Sequence, residues 1–179
     1  MEVNEMEFQL KHAVEILKQT PETLRSLLGG LSDPWILTNE GPGTWSPYDV
    51  VGHLIHGEET GWIPRVKIIL EHGEARTFTP FDRFAFFQES KGKTLEELLA
   101  IFSSLRKKNL RELQELKLEP SQFELKGTHP EFGPVTLGQL LATWVVHDLA
   151  HIEQIVRTMA VQYRDNTGPW KAYLSILKK

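Results

Sequence analysis

Apolar residues recur at intervals of three and four along most of this chain, in segments separated by clusters of glycine and proline. The first segment runs from about residue 5 to residue 28, with Phe8, Val14, Ile16, Leu17, Leu24, Leu27 and Leu28 on one broad stripe. Pro21 lies inside it and predicts a kink or a break near Gln19–Thr20, because proline lacks the amide that bonds four residues back. Gly29-Gly30 is a natural stop. Residues 32–43 carry Asp33-Pro34 and Gly41-Pro42-Gly43 and read as a loop.

A second helix opens at Ser46-Pro47-Tyr48-Asp49. Ser46 suits the N-cap, Pro47 the first turn, and Asp49 the reciprocal position of a capping box. Its apolar pattern weakens at Gly57, Gly61 and Pro64 and resumes through Val66 to Leu70, which predicts a kink near Gly61–Pro64. Residues 74–93 form a long aromatic connection, with Phe81, Phe84, Phe86 and Phe87 expected chiefly to plug the core.

A third helix is capped by Thr94 and Glu97 and runs to about Leu118, its charged residues reading as a solvated face. Residues 121–135 are dominated by turn formers and read as a loop, with a short extended piece as an open alternative. Thr136 and Gln139 then cap a fourth helix that continues to about Val161, and Pro169 starts a short last one. No convincing alternating strand appears. The expected architecture is all-α, a four-helix bundle with long loops and a short C-terminal helix, in a single domain over residues 1–179.

Composition narrows the chemistry. A net charge of −4 argues against direct nucleic-acid or anionic-membrane binding. The absence of cysteine leaves only nitrogen and oxygen donors for a metal, and any thiol chemistry would use a thiol brought by a substrate. Met1-Glu2-Val3-Asn4-Glu5 lacks the basic and apolar regions of a signal peptide, and no apolar run approaches the ~18–20 residues of a membrane span. A cytoplasmic protein is expected.

Within the fourth helix, His147 and His151 stand four residues apart on the inward stripe Leu140, Trp144, His147, His151, Gln154, Thr158. Residues four apart on a helix lie one above the other, so both imidazoles can converge on one point. A metal site needs a further donor. The second helix offers His53 and, three residues later, His56. His12 and His72 read as surface residues. Asp148 and Glu153 point elsewhere on their helix and are not taken as ligands.

Three ordered pieces carry a resemblance. They are Trp45-Ser46-Pro47-x-Asp49-Val50-x-x-His53-Leu54, His129-Pro130-x-Phe132-Gly133-x-x-Thr136-Leu137, and His147-x3-His151-x2-Gln154. Together, over residues 45–154, they resemble the DinB/YfiT-like superfamily. The resemblance implies a four-helix bundle whose helices supply three histidines, here His53, His147 and His151, to a divalent metal. Zinc or nickel stands foremost, with iron and manganese as alternatives.

Three protein donors leave a position for water or substrate, and a metal so held lowers the pKa of a bound water toward neutrality. His56 is expected to line the pocket or to stand behind the ligands. Gln154 is expected to fix a bound water or substrate or simply to be polar at the bundle mouth. Trp45 and Trp144 are expected to pack around the site, and His129 to stabilise its turn.

The resemblance implies a metal-dependent transferase using a low-molecular-weight thiol such as bacillithiol or mycothiol, or a hydrolase of a small molecule. The competing expectation is a non-catalytic bundle that binds metal or dimerises, with a stress-related role. A homodimer through an exposed apolar stripe is a further expectation about partners.

Overall fold

A computed structural model describes residues 7–178. The first two residues of the predicted first helix, and the Met1–Glu5 stretch, lie outside the described residues. Four long helical units are present: α1 (Leu10–Leu28), α3 (Pro47–His56) continued by α4 (Trp62–His72), α6 (Leu95–Glu115) and α7 (Leu137–Val161). Short helices α2 (Asp33–Leu37) and α5 (Phe86–Glu89) lie in the connections. α1 packs on α6 and α7, and α3 packs on the same two helices, so the order around the bundle is α1, α6, α3/α4, α7. This is the four-helix bundle expected from the apolar spacing.

Three of the predicted starts form as capping boxes. In each of Ser46/Asp49, Thr94/Glu97 and Thr136/Gln139, the cap side chain accepts from the backbone amide three residues on, while that residue's side chain reaches back. The cap at Ser46 fixes where α3 begins and therefore which way His53 faces.

Several segments depart from expectation, each for a physical reason. α1 runs through Pro21 without interruption. Pro21 leaves the Leu17 carbonyl without its usual helical donor, and Arg106 Nη1 donates to that carbonyl at 2.8 Å instead. Within the predicted loop 32–43, Pro34 sits in the first turn of α2, which buries Ile36. The expected kink at Gly61–Pro64 is instead a π-helical segment, Gly57–Gly61, joining α3 to α4.

α6 ends earlier than predicted, before Lys117, which takes a left-handed φ of 47°. Its charged face is not wholly solvated, because Arg106 is 1% exposed. Residues 126–136 form an antiparallel hairpin, β1 (Lys126–His129) with β2 (Gly133–Thr136), and Gly133 adopts the positive φ its turn requires. The strands are too short and too rich in glycine and proline to show alternation. The predicted last helix is a pair of 3₁₀ turns, with Trp170 and Tyr173 exposed and little apolar surface to bury.

The core falls into two apolar clusters. One holds Leu17, Val66, Ile69, Phe78, Leu110 and Trp144, and the other Leu24, Leu28, Val51, Leu54, Phe102 and Ile155. On each long helical unit a polar or proline position separates them: Thr20-Pro21, Glu58, Arg106 and Asp148. Arg106 donates to both carboxylate oxygens of Asp148 at 2.6 and 3.0 Å and to Glu58 Oε1 at 2.8 Å. Glu58 also accepts from Trp144 Nε1 at 3.1 Å and from Asn109 Nδ2 at 3.0 Å. Burial pushes the Glu58 carboxyl upward, while Arg106 and Asn109 pull it back. This seam fixes the helices that carry the histidines.

Candidate metal centre

α3 and α7 face one another at the seam, and their histidines meet. His147 Nε2 lies 3.2 Å from His53 Nε2 and 3.2 Å from His151 Nε2. Metal–nitrogen bonds of ~2.0–2.1 Å and an N–metal–N angle of about 100° would separate two donor nitrogens by this distance. The geometry therefore fits a cation held by three imidazoles. The three expected residues come together, and each offers the same ring nitrogen.

Their protonation also suits metal binding, because a metal takes the neutral imidazole. Burial lowers His53 to about 3, with the neighbouring His151, His56 and Arg83 adding to the effect. Burial lowers His147 to about 2, with His151, His53 and Arg106 adding. His151 is lowered by burial, against the opposing pull of Gln154 and Asp148. His151 Nδ1 donates to Gln154 Oε1 at 2.9 Å, which leaves the lone pair on Nε2. Gln154 thus orients a candidate ligand.

These shifts carry a pH prediction for the metal-free protein. An unfolded histidine takes a proton near pH 6.5, whereas His53 and His147 stay neutral in the fold far below that. The unfolded chain therefore binds more protons across this range, and stability is complete above about pH 6.5 and declines as the pH falls toward about 3. Urea unfolding of chelator-treated protein between pH 7.5 and 4 checks this. The slope should be shallower in His53→Ala, and a flat profile in the parent would contradict the buried neutral pair.

Aromatic rings wall the centre. Trp45 lies 4.8 Å from the His53 ring, Phe81 5.4 Å from it, and Trp62 5.1 Å from the His147 ring. Trp144 stacks on Trp62 from behind and does not reach the cleft. His56 is buried but does not line the cleft. Its Nδ1 meets Glu89 at 2.9 Å. His56, Glu59 and Glu89 form a second donor cluster, with both carboxylates exposed. Asp148 is fully buried and accepts from Arg106 through both carboxylate oxygens. His72 is exposed, and His12 is half-buried, with Nδ1 enclosed and unpartnered.

The histidines stand at the head of a cleft of about 710 Å³ that runs to the hairpin. Its walls include Gly57, Gly61, Arg65, Phe78, Phe81, Arg83 and His129. His129 Nδ1 accepts from the amides of Glu131 and Phe132 at 3.1 and 3.3 Å, so it steadies its turn as expected. The remaining proton, on Nε2, belongs to a residue that lines the cleft. The aromatic connection does more than fill the core: Phe86 is buried in the interior, Phe78 is buried with its ring on the cleft wall, Phe81 bounds the cleft, and Phe84 and Phe87 are exposed. Arg65 and Trp62 carried no signal in the sequence that set them apart from ordinary helix residues.

A family model described as the DinB superfamily matches residues 16–155. No curated protein matches. Among solved structures, YfiT from Bacillus subtilis, described as a probable metal-dependent hydrolase with an unusual four-helix bundle topology, is 23% identical with a TM-score of 0.75. That likeness covers 90% of this chain and 93% of YfiT. TT2238, described as a four-helix bundle protein, is 21% identical with a TM-score of 0.56, over 83% of this chain and 98% of its own. At these identities the likenesses show the fold. Among the described residues, no helix is long and apolar enough to cross a membrane.

Proposed function

This chain belongs to the DinB superfamily, and from that membership and the geometry of its site we propose that it is a metal-dependent hydrolase of a small molecule. His53, His147 and His151 are the proposed ligands of one divalent cation, zinc or nickel. The observation that carries the reading is the convergence of three Nε2 atoms, 3.2 Å apart in two pairs, at the head of a cleft large enough for a small molecule. The likeness to YfiT supports hydrolysis as the first reaction to test.

A cation there supplies Lewis acidity and lowers the pKa of a bound water toward neutrality. The chain's own residues do the rest. Three imidazoles, neutral at physiological pH, need lose no proton to bind a cation. Trp45, Trp62 and Phe81 set apolar ring faces and edges against the histidines, which lowers the local polarity of the centre. Gln154 holds the His151 ring in one orientation. His129 presents an N–H donor along the cleft wall.

The test is turnover by metal-loaded protein of nitrophenyl esters, nitrophenyl phosphates and simple amides, beside metal-free protein and His147→Ala. Hydrolysis seen only in the loaded parent supports the reading. Turnover that appears only when a low-molecular-weight thiol and an electrophile are supplied together replaces hydrolysis by thiol transfer. No turnover, with no exchangeable water on the bound metal, sinks the enzymatic reading and leaves a cation that staples α3 to α7.

A further inference from the structure

Among the described residues, Arg106, Arg157 and Arg65 each lose part of their contact with water, and only the first two are paired with carboxylates. Arg106 has two carboxylates and a carbonyl. Arg65 is half-buried on the cleft wall, its guanidinium 5.4 Å from the centroid of the Phe78 ring, and its Nε is enclosed without a hydrogen-bond partner. No carboxylate among the described residues forms an ion pair with it. Burial holds its pKa below the ordinary arginine value, with no acidic neighbour opposing the effect. A guanidinium in that state lacks a counter-charge, and its planar fork matches an oxyanion.

The position is also informative. Arg65 lies one helical turn, about 5 Å of rise, beyond Trp62, and the Trp62 ring packs on His147. Arg83 adds a second positive charge on the same wall and acts on His53. The acidic group there is Glu131, which is exposed at the hairpin. Phe78, Phe81 and Trp62 supply apolar wall between the charge and the histidines.

We infer that Arg65 is the oxyanion-binding residue of this cleft, receiving the carboxylate or phosphate of an amphipathic small molecule whose other end reaches His53, His147 and His151. Only the second half of that statement rests on the proposed reaction at the histidines. The anion-binding half stands on Arg65 alone.

The probes are hexanoate, butyl phosphate and the uncharged hexanamide, titrated into zinc-loaded and metal-free protein by calorimetry and by the arginine Nε–H resonances. Hexanoate or butyl phosphate should shift the Arg65 signal in both forms, whereas hexanamide should not. Preference between the two anions assigns the group. Arg65→Gln should bind the preferred anion about tenfold or more weakly, with metal content unchanged and Tm no lower, since it removes a partly buried unpaired charge. Arg83→Gln should have a smaller effect.

Anion binding as tight in Arg65→Gln as in the parent, or hexanamide binding as tightly as hexanoate, overturns the inference while leaving the metal reading intact. Arg65-dependent anion binding in a protein that takes up no metal keeps the inference and removes the metal reading.

Discussion

Arg106→Ala is expected to lower the unfolding free energy by at least about 3 kcal/mol, the usual consequence of removing one partner of a buried ion pair. The substitution leaves Glu58 and Asp148 enclosed without their shared cation. It also strips the Leu17 carbonyl of the donor that stands in for the missing amide of Pro21. An orphaned buried carbonyl alone costs about 1–3 kcal/mol, although the terms do not simply add. Against a typical stability of about 5–15 kcal/mol, the variant should be visibly weakened in urea unfolding followed by circular dichroism. Replacing all three groups together (Arg106→Met, Glu58→Gln, Asp148→Asn) should recover much of the loss, because no charge is then stranded. A loss under about 1 kcal/mol for Arg106→Ala would show that the seam is not held by this cation.

His147→Ala and His53→Ala are expected to remove stoichiometric metal altogether. Each deletes one of only three nitrogen donors, and no cysteine is present to substitute. The parent, purified without a histidine tag, should carry close to one equivalent by elemental analysis. Gln154→Leu leaves the donors in place but frees the His151 ring, so affinity measured by chelator competition should fall roughly 10–100-fold. His56→Ala is the informative control, because His56 is buried nearby yet engaged with Glu89. It should keep its metal. Equal loss in His56→Ala and His147→Ala would show that His56 belongs to the ligand set, and a metal-free parent that resists reconstitution would show that the three histidines hold no cation.

Much of this was legible in the chain because the signals were local. Capping boxes at Ser46, Thr94 and Thr136 depend on residues three apart, and the i, i+4 spacing of His147 and His151 puts them on one face whatever packs against it. The well-marked start of α3 offers both His53 and His56, and it is the family resemblance that singles out His53. The seam could not be read from the chain. Arg106 stands in a run with Lys107 and Lys108 that looks like any solvated face, and Glu58 follows two histidines on a helix weakened by glycines. Only packing reveals that both are enclosed.

Asp148 shows the same limit from the other side. It lies opposite Arg106, and nothing in the spacing indicates that α7 is buried on that face too. Pro21 speaks only for its local effect on α1, whereas the donor that compensates it lies on α6, 89 residues beyond the Leu17 carbonyl that it serves. The hairpin was missed because four-residue strands broken by glycine and proline show too little alternation.

The π segment between α3 and α4 also sets the angular phase of everything after it. In an unbroken α-helix each residue advances by about 100°, so His53 and Arg65, twelve positions apart, would face directions roughly 120° apart. The wide turn at Gly57–Gly61 absorbs about one extra residue, and the effective separation of eleven brings the two back to within roughly 20°. One continuous strip of helix surface, His53, Gly57, Gly61 and Arg65, therefore lines the whole cleft. The reach of the cleft is thus encoded in chain length as well as in residue identity. Deleting Thr60 would let the segment close into an α-helix that keeps this phase, whereas the same twelve positions wound as an unbroken α-helix would turn Arg65 roughly 120° away from His53.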